Sequence, residues 1–153
     1  MTKPSGGLSP GSNPGGAIYM INISYYVVDL DTVIQFARTE RWSKVDAAIS
    51  SLIRDPSVVA RAVDDLLRSG NAHIRDLGAS ILQKARAIPS RALPKLYAVM
   101  HSHPKGYDGF RAACALAVHS PSYSTRDIRD TLRYFTRDKD VGHMACGYLR
   151  LVS

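Results

Sequence analysis

From Asp29 to Leu151 the apolar residues recur at helical spacing, and the strict alternation of a half-buried strand is absent. Turn formers divide this region into eight segments, 29–39, 42–54, 57–69, 73–87, 91–102, 107–119, 125–137 and 139–151. The breaks carry Pro56, Gly70-Asn71, Pro89, Pro104 with Gly106, and Pro121. Each interrupts a helix, proline by lacking an N–H and glycine by favouring turn conformations. The expectation is an all-α domain over residues 29–153, with short connections.

Every second segment repeats one pattern. Val45-Asp46-x-Ala48-Ile49-Ser50-x-Leu52-Ile53 aligns with Ile74-Arg75-x-Leu77-Gly78-Ala79-x-Ile81-Leu82. Phe110-Arg111-x-Ala113-Cys114-Ala115-x-Ala117-Val118 and Val141-Gly142-x-Met144-Ala145-Cys146-x-Tyr148-Leu149 follow. The offsets of 29, 36 and 31 residues are those of a helix-pair repeat. Large apolar side chains pin each helix to its partner, while Gly, Ala or Cys at the centre admits a close neighbour, expected to be the next repeat. Cys114 and Cys146 are expected to be buried small hydrophobes, since packed helices ~8–10 Å apart hold them beyond disulfide reach.

These residues resemble the HEAT-type (armadillo-like) α-helical repeat family. Leu93-Pro94-x-Leu96 is similar to its proline-bearing first helix, and Phe110-Arg111-x-Ala113 to the hydrophobic-Arg start of its second. His73-Ile74-Arg75 repeats that start one unit earlier, whereas the last unit has Gly142 and the first Asp46 where the arginine would stand. The resemblance covers about residues 29–151. It implies a right-handed α-solenoid of about four helix pairs, with Arg75 and Arg111 in an inter-repeat ladder whose partners would be Asp76 or Asp108. It also implies the functions of such proteins: mostly protein-binding scaffolds, with minorities that bind nucleic acid, among them DNA glycosylases.

Residues 1–16 hold five Gly, three Pro and three Ser. They carry too little apolar surface to offset ordering entropy and are expected to form a disordered arm. The apolar stretch 17–28 is short of the ~20 residues that span a bilayer. It reads as a short strand or as a segment packing on the first repeat, where Tyr25, Tyr26 and Trp42 would form a lid. Two cysteines make no disulfide framework and suit a reducing, cytoplasmic setting.

The chain carries 20 Lys+Arg against 13 Asp+Glu, a net +7, and the excess lies beyond residue 60. Its sharpest local form is 125–137. Ile128, Thr131, Leu132 and Phe135 fall on one side of the helical wheel; Arg126, Arg129, Arg133 and Arg137 fall opposite. The same projection sets Arg91 and Lys95 outward in the third repeat and Arg61 and Arg68 outward in the second, with Asp64 and Asp65 beside them. With first helices side by side, these rows would merge into a basic band suited to phosphate or carboxylate. The competing reading is a solvated face of Arg/Asp pairs, each contributing only ~0.3–0.5 kcal/mol. The second helices offer Lys44, Arg75, Lys84, Arg111 and Arg150 on the other side.

Catalytic signatures are missing. Glu40 is the one glutamate, and no H-E-x-x-H, phosphate-cradling Gly loop, G-x-S-x-G or Cys-x-x-Cys occurs. The five histidines lack metal-ligand spacing, so neither metal nor cofactor is expected. Asp127 and Asp130 pose as a carboxylate pair, but their arginine neighbours should keep both ionised. The sequence thus points to a non-enzymatic macromolecule-binding module, a scaffold, adaptor or inhibitor that docks an acidic protein surface. A nucleic-acid backbone binder is the alternative. A glycosylase-type repair enzyme ranks third, since no Asp with aromatic walls is placed to receive an extruded base.

Overall fold

A computed structural model describes residues 28–152. The predicted arm 1–16, the apolar stretch 17–28 except Val28, and the Tyr25–Tyr26 part of the lid lie outside the described residues. Val28 packs, partly buried, against the core.

Among the described residues there are eight α-helices and no strand: α1 (Leu30–Arg38), α2 (Trp42–Leu52), α3 (Pro56–Asp64), α4 (Ala72–Lys84), α5 (Ala92–Ser102), α6 (Tyr107–His119), α7 (Thr125–Tyr134) and α8 (Gly142–Leu149). Two 3₁₀ turns, Leu66–Arg68 and Arg150–Val152, complete the set.

Side chains set many of the boundaries. Asp29 opens α1 by accepting the Thr32 amide at 2.8 Å. Asp55 caps α3 through Ser57, with Pro56 at the first helical position, where a missing N–H costs nothing. Asn71 caps α4 by accepting from the amides of His73 and Ile74. Helix α5 runs unbroken through Pro94, whose place in the first turn spares the hydrogen-bond ladder.

Several ends differ from the sequence expectation, among them that of α4, which stops at Lys84 and not at residue 87. The predicted helix 57–69 stops at Asp64 and tightens into the 3₁₀ turn. Helix α7 ends at Tyr134, where the chain turns and the Thr136 hydroxyl donates to the Arg133 carbonyl at 2.9 Å. Helix α8 begins at Gly142, not Lys139, because the Asp138 carboxylate captures the amides of Asp140 and Val141.

The core runs through the whole set, with Val33, Ile49, Leu77, Leu82, Leu96, Phe110, Leu116, Ile128 and Leu132 essentially inaccessible. Helices α4 and α6 lie at its centre, buried on nearly every side. They run in the same direction: Arg75 reaches Asp108, Arg111 reaches Asp76, and near their other ends His119 meets the Leu82 carbonyl.

Two central glycines correct the packing argument made from sequence. A Cβ on Gly78 would stand 2.8 Å from the Leu66 Cβ, so its space admits the 3₁₀ turn of its own helix pair, not the next repeat. Gly142, which takes the place of the repeat's arginine, leaves room for the Thr136 carbonyl, 2.7 Å from where a Cβ would sit. Cys114 is buried as expected and its thiol is pushed up to about 12 by burial. Cys146 is exposed, contrary to expectation. Its counterparts Ala79 and Ala115 are fully buried.

Candidate functional site

The residues expected to form a continuous basic band do not share one fate. On the first helices, an acidic side chain stands at each junction. Arg61 of α3 meets Asp31 of α1 at 3.2 Å and Asp65 at 3.6 Å. Arg91, just ahead of α5, pairs with Asp64 of α3 at 2.9 Å, and Lys95 joins the same carboxylate at 3.3 Å. The Arg91 guanidinium, with Lys95 beside it, holds Asp64 down at about 2. Arg68 turns back to the Asp64 carbonyl at 3.4 Å. Between α5 and α7 the junction is Tyr97 to Asp127, 2.8 Å. The Tyr97 and Ser124 hydroxyls lower the Asp127 pKa, so Asp127 is a fixed, ionised acceptor.

Helix α7 carries exposed positive charge without ion pairs, as do Arg38, Arg54, Lys84 and Arg86 elsewhere among the described residues. Arg126, Arg133 and Arg137 are exposed and have no ion-pair partner among the described residues. Arg129 is different: half-buried, it donates to the Val152 carbonyl at 2.8 Å and ties down the chain's last described turn. Arg137 has left the helical row, since α7 ends three residues earlier. Beside this group Tyr134 stands 56% exposed, with the Lys105 ammonium 5.6 Å from its ring centre. Of the expected row of four, three arginines are exposed, and Tyr134, next to Arg133 in the chain, adds an open ring with Lys105 beside it. Sequence reasoning missed Tyr134 and Lys105.

On the second helices two arginines are locked to carboxylates. Arg75 donates to Asp108 at 2.9 Å and to the Ser69 carbonyl at 2.8 Å. Arg111 donates to Asp76 at 3.3 Å. The two candidate carboxylates are thus both used, in crossed fashion, between α4 and α6. Burial pushes the Asp76 pKa up, and the Arg111 guanidinium opposes that shift. Lys44 lies over the Phe36 ring at 5.4 Å, while Lys84 and Arg150 are exposed.

Beside these crossed pairs opens a cleft of about 420 Å³, at the N-terminal ends of α2, α4, α6 and α8. Trp42 and Tyr107 line it, with Glu40, His73, Arg111 and Asp140 around them and Asp76 and Asp108 buried within the lining. The Trp42 ring meets His73 edge-on at 6.0 Å, and His73 Nε2 is 3.8 Å from Glu40. Tyr107 donates to Asp138 at 2.9 Å, which raises the phenol pKa, and its ring is 5.7 Å from that of Phe135. The sequence held a signal for this cleft. Glu40, His73, Tyr107 and Asp140 all occur within two residues of the start of a second helix, so aligning those helices brings them to one edge.

Among the described residues no group of three or more His, Cys, Asp or Glu is arranged to hold a metal ion, and no helix is long and apolar enough to cross a membrane. Searches of family models, curated proteins and solved structures find no match to this chain.

Proposed function

We propose that this chain is a small non-enzymatic binding module, a HEAT-like right-handed array of about four helix pairs, that docks an acidic protein surface through α7. The two free cysteines suit a cytoplasmic setting. Support for the array comes from spacing: Asp31–Arg61, Tyr97–Asp127 and Arg75–Asp108 join residues 30, 30 and 33 positions apart, about one repeat unit.

The observation that carries the docking reading is the contrast among first helices. The basic groups Arg61, Arg91 and Lys95 are ion-paired with Asp31, Asp64 and Asp65; Arg126, Arg133 and Arg137 are exposed and form no ion pair among the described residues, Asp127 feeling the Arg126 charge without a direct contact. Guanidinium groups in that state retain both arms of their donor fork for a partner's carboxylates. A short patch bounded by carboxylates fits an acidic protein surface better than a long phosphate track.

The test is titration of the full chain with a glutamate-rich peptide and with single- and double-stranded oligonucleotides, over a range of salt. The double variant Arg126→Glu with Arg133→Glu should abolish peptide binding while helicity and melting stay unchanged. Unaltered binding by that variant defeats the proposal.

One feature favours nucleic acid as a second reading: Tyr134, beside Lys105 and Arg133, offers an open ring on which a base can stack. If three arginines each met a phosphate, log K would fall with log salt at a slope of about −2.7. Tight oligonucleotide binding with that slope, and none to the peptide, would select this reading.

A further inference from the structure

The aromatic-walled cleft lies apart from α7 and has a different chemistry. We propose that it receives a cationic side-chain end, the guanidinium of arginine or the ammonium of lysine, presented by an extended segment of a partner protein.

Three independent features converge. First, the cleft, about 420 Å³, is large enough to admit a side-chain end. Second, its aromatic walls are held in place by neighbouring groups. Trp42 is braced by His73, and Tyr107 by its hydrogen bond to Asp138 and by Phe135, yet Tyr107 remains 44% exposed. Aromatic faces attract cations through the ring quadrupole. Third, four carboxylates and a single arginine line the cleft of a chain whose net charge is +7.

The carboxylates divide by role. Asp76 and Asp108 are committed to Arg111 and Arg75. Glu40 and Asp140 are exposed and meet no Lys or Arg among the described residues; the nearest basic group to Glu40 is His73. Those two remain to receive an incoming cation. An anion is the poorer fit. At α4 the Asn71 side chain takes the amides of His73 and Ile74, and Arg111 is held by Asp76; the starts of α2 and α6 carry no side-chain cap, so the phosphate arm of the titration tests the sign directly. The first turn of α6 carries Asp108, which would repel it.

Glu40 adds a conformational argument. Its φ of 59° is left-handed, at the position after the α1 C-cap where the amides of Glu40 and Arg41 return to the carbonyls of Ala37 and Phe36. That is a glycine's position in a Schellman turn. A glutamate there sends a carboxylate toward the cleft that glycine would not supply.

Trp42 is the chain's one tryptophan, so its emission reports the cleft directly. Full-length protein is titrated with a short blocked Ala-Arg-Ala peptide, its citrulline counterpart, methylguanidinium and inorganic phosphate. The expected result is a saturable Trp42 response to the arginine peptide at millimolar concentration or below, at least about tenfold tighter than to methylguanidinium, since neighbouring peptide contacts add affinity. The citrulline peptide and phosphate should give none. Glu40→Gln with Asp140→Asn should raise the Kd at least about tenfold with an unchanged melting temperature, both residues being at the surface. A flat titration with arginine, an equal response to citrulline, or full binding by the double variant overturns the proposal. Equal affinity for methylguanidinium overturns the assignment to a partner's side chain. A response to phosphate overturns its sign.

Discussion

Replacing Glu40 by glycine should make this protein more stable. The residue holds φ at 59°, in the turn that closes α1. A left-handed conformation costs a side-chain-bearing residue roughly 1–2 kcal/mol, because its Cβ crowds the following carbonyl. Glycine removes that penalty but gives the unfolded chain more freedom, which takes back roughly 0.5–1 kcal/mol. The Glu40–His73 contact, at 3.8 Å between largely exposed side chains, adds little to either state. The net is a gain of about 0.5–1 kcal/mol, which for a chain of this size raises the melting temperature by roughly 1–4 °C. Thermal unfolding followed by circular dichroism reads it. Glu40→Gln is the control, since it keeps the backbone penalty and should melt with the wild type. If Glu40→Gly melts at or below the wild type, the turn does not hold a left-handed residue there and the account of Glu40 fails. The two variants also separate stability from recognition, because both should bind the cationic peptide more weakly while only one gains heat resistance.

Other outcomes follow from the core and the ion pairs. Leu132→Ala and Leu82→Ala, at fully buried positions, should each lower stability by roughly 2–5 kcal/mol in denaturant titration; melts within a degree or two of wild type would mean the helix faces are misassigned. For Asp64, a carboxyl held at about 2 in the folded state against 3.8 in a free side chain stabilises fully above the latter. That contribution is lost as pH falls through the folded value. Asp64→Asn should therefore flatten the decline of the urea midpoint between about pH 5 and pH 2, and a slope as steep as the wild type's would discount this pair.

The helices were legible because their signals are local. Caps, prolines and apolar spacing lie within a few residues of the boundaries they set, and Asp29, Pro56 and Asn71 act where they stand. Helix ends were less legible where a side chain competes with the backbone. The Thr136 hydroxyl bonds where α7 ends and Asp138 delays α8, and periodicity registers neither hydrogen bond. The basic surface was readable only in part for a different reason. A helical wheel shows that Arg61, Arg91 and Lys95 face outward, but not that Asp31 and Asp64 arrive from the preceding first helix to meet them. Likewise Arg129 belongs to the α7 row by angle and to the chain's end by contact. The cleft needs four helix starts at one edge, a fact of packing that no single segment records.

The crossed pairs between α4 and α6 bear on how such a chain can be shortened. Each of these helices gives one acid and one base to the crossed pairs, Arg75 answered by Asp108 and Arg111 by Asp76. Cutting the polypeptide between them would strand a half-buried guanidinium and an enclosed carboxylate on either fragment, an outcome far costlier than losing an exposed pair. Trimming from the carboxyl end, whether by a protease or by design, therefore has a natural stopping place after α6. Short of that point the two middle coils stand or fall as a couple.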